Sequence, residues 1–286
     1  MQNLDYKISI VIPTYNEQDH IGACLEAISK QIVKPFEVIV VDNMCTDYTV
    51  DIAKRFSFVR VVKQTKRGLV HARDKGFDSA RGDIIGRIDA DTLLPADWTQ
   101  KIIEIFEDRS VKAVSGGIHF YDIGCSDVID GIDAYWRAWM ARRMTPSSRV
   151  FLLGANMAIR RSSWQKVRGQ LCHQNGFHED LDLSLHLSMI DEKVIFDPTL
   201  MANVSARRID SGFFDLTKYA FENPWIYIKH DAREHRYMYP LIGIVLFNYI
   251  LLRIVFRAFD EQSQRFSFKL LLLKQSMARA NPADLA

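Results

Sequence analysis

The sequence predicts an α/β protein built on a doubly wound, mostly parallel, Rossmann-like sheet flanked by helices, and three observations predict it. Four short β-branched runs, residues 8–12, 37–41, 59–62 and 84–88, open the chain, three of them almost continuously apolar. Strands buried on both faces read this way, because a parallel sheet is covered by helices on each side. Between them, residues 18–31, 46–56 and 68–80 carry helical spacing, which completes a βαβαβαβ alternation. The composition is that of a globular protein: 48% hydrophobic and 25% charged residues, with 14 Gly and 8 Pro spread over 286 positions, exclude wholesale disorder and low-complexity or collagen-like structure.

Beyond Asp91 the pattern loosens. It predicts a helix over 97–108, a strand over 111–117, a Trp- and Arg-bearing helix over 126–143 and a strand over 151–159. Helices over 162–167 and 179–190 follow, then closing strands over 193–196 and 201–207. From Asp210 onward the pattern is helical and aromatic. No Pro/Gly/Ser linker divides the chain, so we expect one main domain over 1–209, with halves 1–92 and 93–209, and a helical extension over 210–286.

Lys and Arg total 37 against 35 Asp and Glu, a net charge of +2, which gives no electrostatic case for nucleic acid. Cys24, Cys45, Cys125 and Cys172 are scattered without a C-x-x-C pair, poor spacing for zinc and too thin for a disulfide scaffold. A reducing, cytoplasmic setting is expected. The first seven residues are polar and the apolar run after them stops at Pro13, too short for a secretory signal. Residues 237–252 (YMYPLIGIVLFNYILL) carry no charge, and Arg253 and Arg257 follow. A full bilayer crossing needs roughly 20 apolar residues. The run therefore reads either as a buried core helix or as a helix lying on a membrane surface. Trp225, Tyr227, Lys229, His230, Arg233, His235 and Arg236 precede it, residues suited to the headgroup level of a cytoplasmic membrane face.

Sheets of this type bind ligands beyond the carboxyl ends of their strands, so chemistry is sought there. The first strand ends in Val-Ile-Pro13-Thr-Tyr15-Asn-Glu17, where Tyr15 offers a stacking face and Glu17 an acceptor for ribose hydroxyls. The second ends at Asp42, placed to accept the imino proton of a base, while Asp47 is explained by capping the next helix. The fourth ends in Ile-Asp89-Ala90-Asp91. Carboxylates two apart point to opposite faces within a strand but converge at a turn, where hard oxygen ligands suit Mg²⁺ or Mn²⁺.

In this order the segments VIPTYNE, VVDNMCTDYT, GLVHARDKGFDSARGDII, RIDADT, GANMAIRR and HEDLDLSLHL resemble the family 2 glycosyltransferases of GT-A fold, over about two thirds of the chain. The resemblance implies inverting transfer of a sugar from a nucleotide-diphosphate donor, with residues 1–92 as the donor half and 93–209 as the acceptor half. It implies that Pro13, Tyr15 and Glu17 line the nucleoside, that Asp42 reads the base, and that Asp89, Ala90 and Asp91 hold ribose, diphosphate and metal. Asp91 is the direct metal ligand so implied, with Asp89 and His230 as further candidates. Arg73 joins the donor-binding set, in a segment where Asp74 replaces the more usual Asn. Asp180 stands at the position of the catalytic base, with the neighbouring Glu179 its rival and an acceptor-binding candidate. Asn156 falls at the floor of the acceptor site, where a buried amide fixing a loop is the competing reading. Arg207, Arg208, His230 and His235 read either as groups closing on the diphosphate or metal, or as surface charge. The absence of a Gln-x-x-Arg-Trp motif after Asp180 disfavours a processive synthase.

The expectation is thus a single-sugar, metal-dependent transferase acting on a glycan or lipid-linked hydroxyl acceptor, peripheral to a cytoplasmic membrane face. A polyprenyl-phosphate glycosyl synthase is the alternative enzyme, and a non-catalytic nucleotide-sugar or glycan binder the alternative from another class.

Overall fold

The apolar runs form the centre of the sheet. In the computed structural model, which describes residues 6–123, 131, 152–174, 178–210, 213–231, 235–260 and 265–267, β1 (Ile8–Thr14) is buried along its whole length. It pairs in parallel with β2 (Glu37–Asp42) on one side and β4 (Ile84–Arg87) on the other, and β2 pairs in parallel with β3 (Val59–Lys63). The connecting helices α1 (Ile21–Ser29), α2 (Thr49–Ala53) and α3 (Leu69–Ser79) complete the predicted alternation. They cover both faces: α1 buries Ile21, Cys24, Leu25 and Ile28 in one core with Ile10 and Ile12, and α3 buries Ala72 and Phe77 in the other with Val11, Ile39 and Val41. Contact between α3 and the sheet is close, since a Cβ at Gly76 would fall 2.3 Å from Val11 Cγ1.

The second half extends the sheet with mixed polarity. After β5 (Thr92–Leu93) and α4 (Trp98–Glu107) come β6 (Val111–Phe120), β7 (Met157–Arg160), α5 (Arg161–Val167), α6 (Glu179–Met189) and β8 (Lys193–Val204). The eight strands run in the order β3-β2-β1-β4-β7-β6-β8-β5. β7 is antiparallel to both β4 and β6, and β5 is antiparallel to β8. Two expectations are corrected here. The closing strands form one element, β8, whose register against β6 shifts between Gly116 and Gly117 as the chain passes Asp197 to Leu200. The strand expected over 151–159 is shorter: among the described residues before β7 the Leu152 amide donates to Ser184 Oγ (2.8 Å) and the Leu153 amide to Ser115 Oγ (3.0 Å), so side chains take donors that a ladder would use. The helix expected over 126–143 lies outside the described residues apart from Gly131.

At the amino end of β2, Glu37 is buried among Ser9, Arg60 and Arg81. Burial works against its carboxylate, but the Arg81 amide and the Arg60, Ser9 and Arg81 side chains more than offset that and hold its pKa below the ordinary range. Such a group stabilises the fold above the ordinary carboxylate pKa, and that contribution is lost as pH falls through its lowered value.

After β8 a 3₁₀ turn (Ala206–Asp210) leads to α7 (Phe213–Lys229) and α8 (His235–Ala258). One face of α8 is packed: Ile242 and Phe256 are buried, Phe256 against Ile123 and Ala206. No helix among the described residues is long and apolar enough to cross a membrane. A short hairpin of β9 (Phe259–Asp260) and β10 (Arg265–Phe266) follows.

Candidate active site

The carboxyl ends of β1, β2 and β4 bring the expected polar residues to one edge of the sheet. Asn16 and Met44, both at positive φ (53° and 66°), turn the chain sharply after β1 and β2. The two turns are laced together: Thr46 N donates to Asn16 Oδ1 (2.9 Å) and Glu17 N to Thr49 Oγ1 (2.7 Å). Asp47 serves this lacing, accepting the Thr49 amide at 3.0 Å and the Gln18 amide at 3.1 Å. Asp42 Oδ1 accepts the Cys45 amide at 2.8 Å, which fixes the direction of its carboxylate at the strand end. Pro13 is buried in β1. Tyr15 is half-buried, with the Arg67 guanidinium over its ring 4.6 Å from the centroid.

Arg207, reaching in from the 3₁₀ turn, organises the acids. Its Nη2 donates to Glu17 Oε1 (2.9 Å) and Oε2 (2.7 Å), and its Nε to Asp91 Oδ2 (2.8 Å), all three residues being buried. The carboxylate expected at the ribose is thus occupied by an arginine, and Arg207 is neither surface charge nor a loose lid. Asp91 keeps one oxygen uncommitted: Oδ1 is buried with no hydrogen-bond partner among the described residues. A buried carboxylate oxygen without a donor is costly, and a hard cation is the partner its chemistry fits best. Beneath these acids lies Cys24, its Sγ 3.8 Å from the Asp89 carbonyl. Burial, and then the charges of Asp91, Asp89 and Glu17, push its thiol well up, so it remains neutral.

A second buried arginine joins this edge to the helix carrying the base candidate. Arg87, the last residue of β4, places Nη2 3.2 Å from Asp89 Oδ1 and Nη1 2.8 Å from Glu179 Oε1. Glu179 is therefore an ion-pair partner buried at the start of α6. Asp180, next in sequence, is half-buried and, among the described residues, paired with no cation: its Oδ2 accepts the Gly154 amide (2.9 Å) and its Oδ1 the Leu181 amide (2.8 Å). Gly154 fits there because it has no side chain, since a Cβ would come within 1.6 Å of Arg87 Nη1. A carboxylate held by two amides is fixed in direction, and positioning is the first requirement of a general base.

Three expectations change at this level. Arg73 is fully buried and donates to Asp74 Oδ1 and to the Glu179 carbonyl, so it anchors the start of α6 instead of lining a cleft. Asn156 is fully buried as well. Its Oδ1 accepts from Trp98 Nε1 (2.8 Å) and its Nδ2 donates to the Gly117 and Leu200 carbonyls (2.7 Å each), knitting α4, β6 and β8 together. The loop-fixing reading of this amide is the one the geometry supports. His230 lies with Asp182, at 2.9 Å, and not with Asp91. Arg87 is the residue that the reading by motif passed over. Its signal is an arginine ending an otherwise apolar strand, which can be buried there only between carboxylates.

With this geometry in view, comparison with known proteins decides the family. Residues 9–168 match the model of glycosyl transferase family 2, more than half of the 286-residue chain. The chain belongs to glycosyl transferase family 2. This family 2 chain is 26% identical over 256 residues to glycosyltransferase GlyA of Streptococcus pneumoniae, covering 82% of the chain and 34% of that protein. It is 31% identical over 214 residues to an undecaprenyl-phosphate 4-deoxy-4-formamido-L-arabinose transferase of Serratia proteamaculans, covering 71% of the chain and 57% of that protein. The chain thus spans between about a third and three fifths of these relatives' lengths. Among solved structures, it resembles the Pyrobaculum calidifontis mannosyltransferase PcManGT in complex with GDP-Man and Mn²⁺, with TM-score 0.67 and 20% identity over 94% of this chain and 78% of that one. The family 2 chain thus has the GT-A fold expected from its motifs.

Proposed function

We propose that the chain transfers one sugar from a nucleotide-diphosphate sugar to a hydroxyl acceptor with inversion, Asp180 acting as general base. The observation that carries this reading is that Arg87 joins two differently prepared sets of carboxylates. On one side it pairs with Asp89, which stands with Asp91 beyond the end of β4; on the other it pairs with Glu179, whose neighbour Asp180 is held by the Gly154 and Leu181 amides. Tyr15 and Asp42 offer a ring and a fixed carboxylate to the nucleoside. Asp91, with Asp89 as its neighbour, would hold a divalent cation, and Mg²⁺ or Mn²⁺ there would supply charge neutralisation to the departing diphosphate. Arg207 keeps Asp91 aimed by taking Oδ2 alone, and Arg87 keeps Asp89 and Glu179 aimed together. Asp180 accepts the proton of the acceptor hydroxyl as that oxygen attacks the anomeric carbon. The Mn²⁺ and GDP-Man held by PcManGT support a metal and a nucleotide sugar here.

The Serratia relative, named for an undecaprenyl phosphate, supports the alternative in which a lipid phosphate attacks. Such an acceptor is already anionic and needs no base, so the preparation of Asp180 favours a hydroxyl. A panel of UDP-, GDP- and dTDP-sugars, assayed for released nucleoside diphosphate with Mn²⁺ and with excess chelator, tests the reading. We expect at least one donor to be turned over, with the reaction lost in chelator and in Asp91→Asn. Binding without any turnover across the panel and a set of acceptors would favour the non-catalytic binder. Full activity in both chelator and Asp91→Asn would remove the metal from the account.

We also infer a peripheral membrane site, supported by α7 more than by the 237–252 run, in which Ile242 is buried. Phe214, Phe221, Trp225 and Ile228 recur at helical spacing along one stripe of α7 and are exposed, Phe214 by 86% and Trp225 by 61%. Exposed Lys218 and Lys229 lie on the same helix. Aromatic side chains beside lysines suit an anionic headgroup layer. In flotation with anionic vesicles at low salt, the wild type is expected to rise with the lipid, and Phe214→Ser/Trp225→Ser to stay behind. Equal behaviour of the two would exclude this face as the docking surface.

A further inference from the structure

A second group of ligating side chains lies outside the machinery described above. Cys172 follows α5, Asp182 belongs to the first turn of α6, and His230 follows the last residue of α7. The fold brings these three separate segments together: the Cys172 Sγ, an Asp182 carboxylate oxygen and a His230 ring nitrogen all lie within 4.8 Å of one another. We propose that Cys172, Asp182 and His230 form a binding site for a borderline-soft divalent cation of the zinc class, which clamps the end of α7 onto the helix that carries Asp180.

The donor set selects the ion. Sulfur, imidazole nitrogen and a single carboxylate oxygen are the ligands zinc takes, whereas the all-oxygen carboxylates at Asp89 and Asp91 suit Mg²⁺ or Mn²⁺. Two of the three ligand spacings are close to what such an ion requires, and the third, Cys172 Sγ to the Asp182 oxygen, is within 4.8 Å. Around a tetrahedral zinc with bonds of about 2.0 Å to N and O and about 2.3 Å to S, ligand atoms stand roughly 3.3 Å (N to O) and 3.6 Å (S to N) apart. Here His230 Nε2 is 2.9 Å from Asp182 Oδ1 and 3.8 Å from Cys172 Sγ. The histidine–carboxylate hydrogen bond is the contact a cation would replace, with movements of a few tenths of an ångström. The surroundings hold the ligands in place. The second Asp182 oxygen accepts the Cys172 amide at 2.8 Å, which leaves Oδ1 facing His230. His186 Nδ1 lies 2.9 Å from the Asp182 carbonyl, and its ring packs edge-on to that of His230, centroids 4.7 Å apart. Supporting contacts of this kind orient ligands and raise affinity. Beside the group, Lys229 Nζ donates to Gln174 Oε1 at 2.8 Å, so the two segments already meet there.

The scattered cysteines argued against zinc when read by spacing along the chain. The site uses one cysteine and takes its other ligands from α6 and from the end of α7, a combination no linear motif displays. Binding requires the thiolate, so uptake of the ion releases the Cys172 proton and weakens as pH falls.

The metal-depleted full chain, titrated with Co²⁺ and then with Zn²⁺, tests the proposal. The wild type is expected to develop a near-ultraviolet thiolate-to-cobalt charge-transfer band that one equivalent of Zn²⁺ abolishes. Cys172→Ser should lose the band, and His230→Gln should bind at least about tenfold more weakly. Asp91→Asn should keep both band and affinity. Circular dichroism checks that each variant is folded. Should His230→Gln misfold, Cys172→Ser, at a half-buried position, decides alone. A wild type without the band, a band that survives in Cys172→Ser, or one lost in Asp91→Asn would each overturn the assignment.

Discussion

Replacing Asp180 by asparagine is expected to slow transfer by about 10²–10⁴-fold while leaving donor affinity nearly unchanged. The reason lies in what the carboxylate touches. Its oxygens accept the Gly154 and Leu181 amides, and neither is committed to Asp89, Asp91 or Arg207, which stand on the donor side. Asparagine keeps one acceptor oxygen, so one of the two amides loses its partner, a cost of about 1–3 kcal/mol that urea denaturation measures separately from the rate. Single-turnover transfer beside calorimetric donor binding separates the two roles. A parallel loss of donor affinity would place Asp180 in the nucleotide pocket and return the base to Glu179. The ion pair between Glu179 and Arg87 makes that the poorer assignment, since this carboxylate is already engaged 2.8 Å from a buried guanidinium.

The second large effect is expected on stability. Arg87→Met should lower the unfolding free energy by about 3–5 kcal/mol, because it leaves Glu179 buried without its cation and removes the bridge to Asp89. Methionine fills much of the same volume, so the loss is electrostatic rather than a cavity effect. Adding Glu179→Gln to Arg87→Met should recover part of the loss, since the buried unpaired charge is then gone, and the two changes should be clearly non-additive. A loss below about 1 kcal/mol for Arg87→Met, or strict additivity in the double variant, would mean that Arg87 does not hold the two halves of the site together.

These two residues also show where the sequence was legible. Asp180 stood out because chemistry needs a carboxylate and the neighbouring motifs pointed to that position. Arg87 did not, and Arg207 did so only with two readings left open, because an arginine in a sequence carries no sign of what it faces. Their partners come from distant segments: Glu179 for Arg87, Glu17 and Asp91 for Arg207. The βαβ half was readable for the opposite reason, since Ile10, Val11, Val40 and Val41 are each buried by local alternation of strand and helix. In the second half the ladder is interrupted by side chains that take backbone donors, as Ser184 and Ser115 do before Met157, and hydrophobic pattern does not register that. Asn156 was left open between an acceptor contact and a buried structural amide, and its three well-formed bonds make it a strut between α4, β6 and β8. The 237–252 run, uncharged and therefore ambiguous, lies in a helix whose buried Phe256, four residues beyond the run, packs on Ala206, beside Arg207. The C-terminal helices thus reach the donor side of the site through one turn of chain.

The central claim is a single displacement with one carboxylate acting as base and no covalent glycosyl intermediate. The anomeric configuration of the first sugar released tests it most directly. Proton NMR of the sugar formed from an α-linked donor, recorded before mutarotation and with water serving as acceptor where no other is known, reports that configuration. The account predicts the β anomer from the wild type and no comparable release from Asp180→Asn. First formation of the α anomer by the wild type would contradict it.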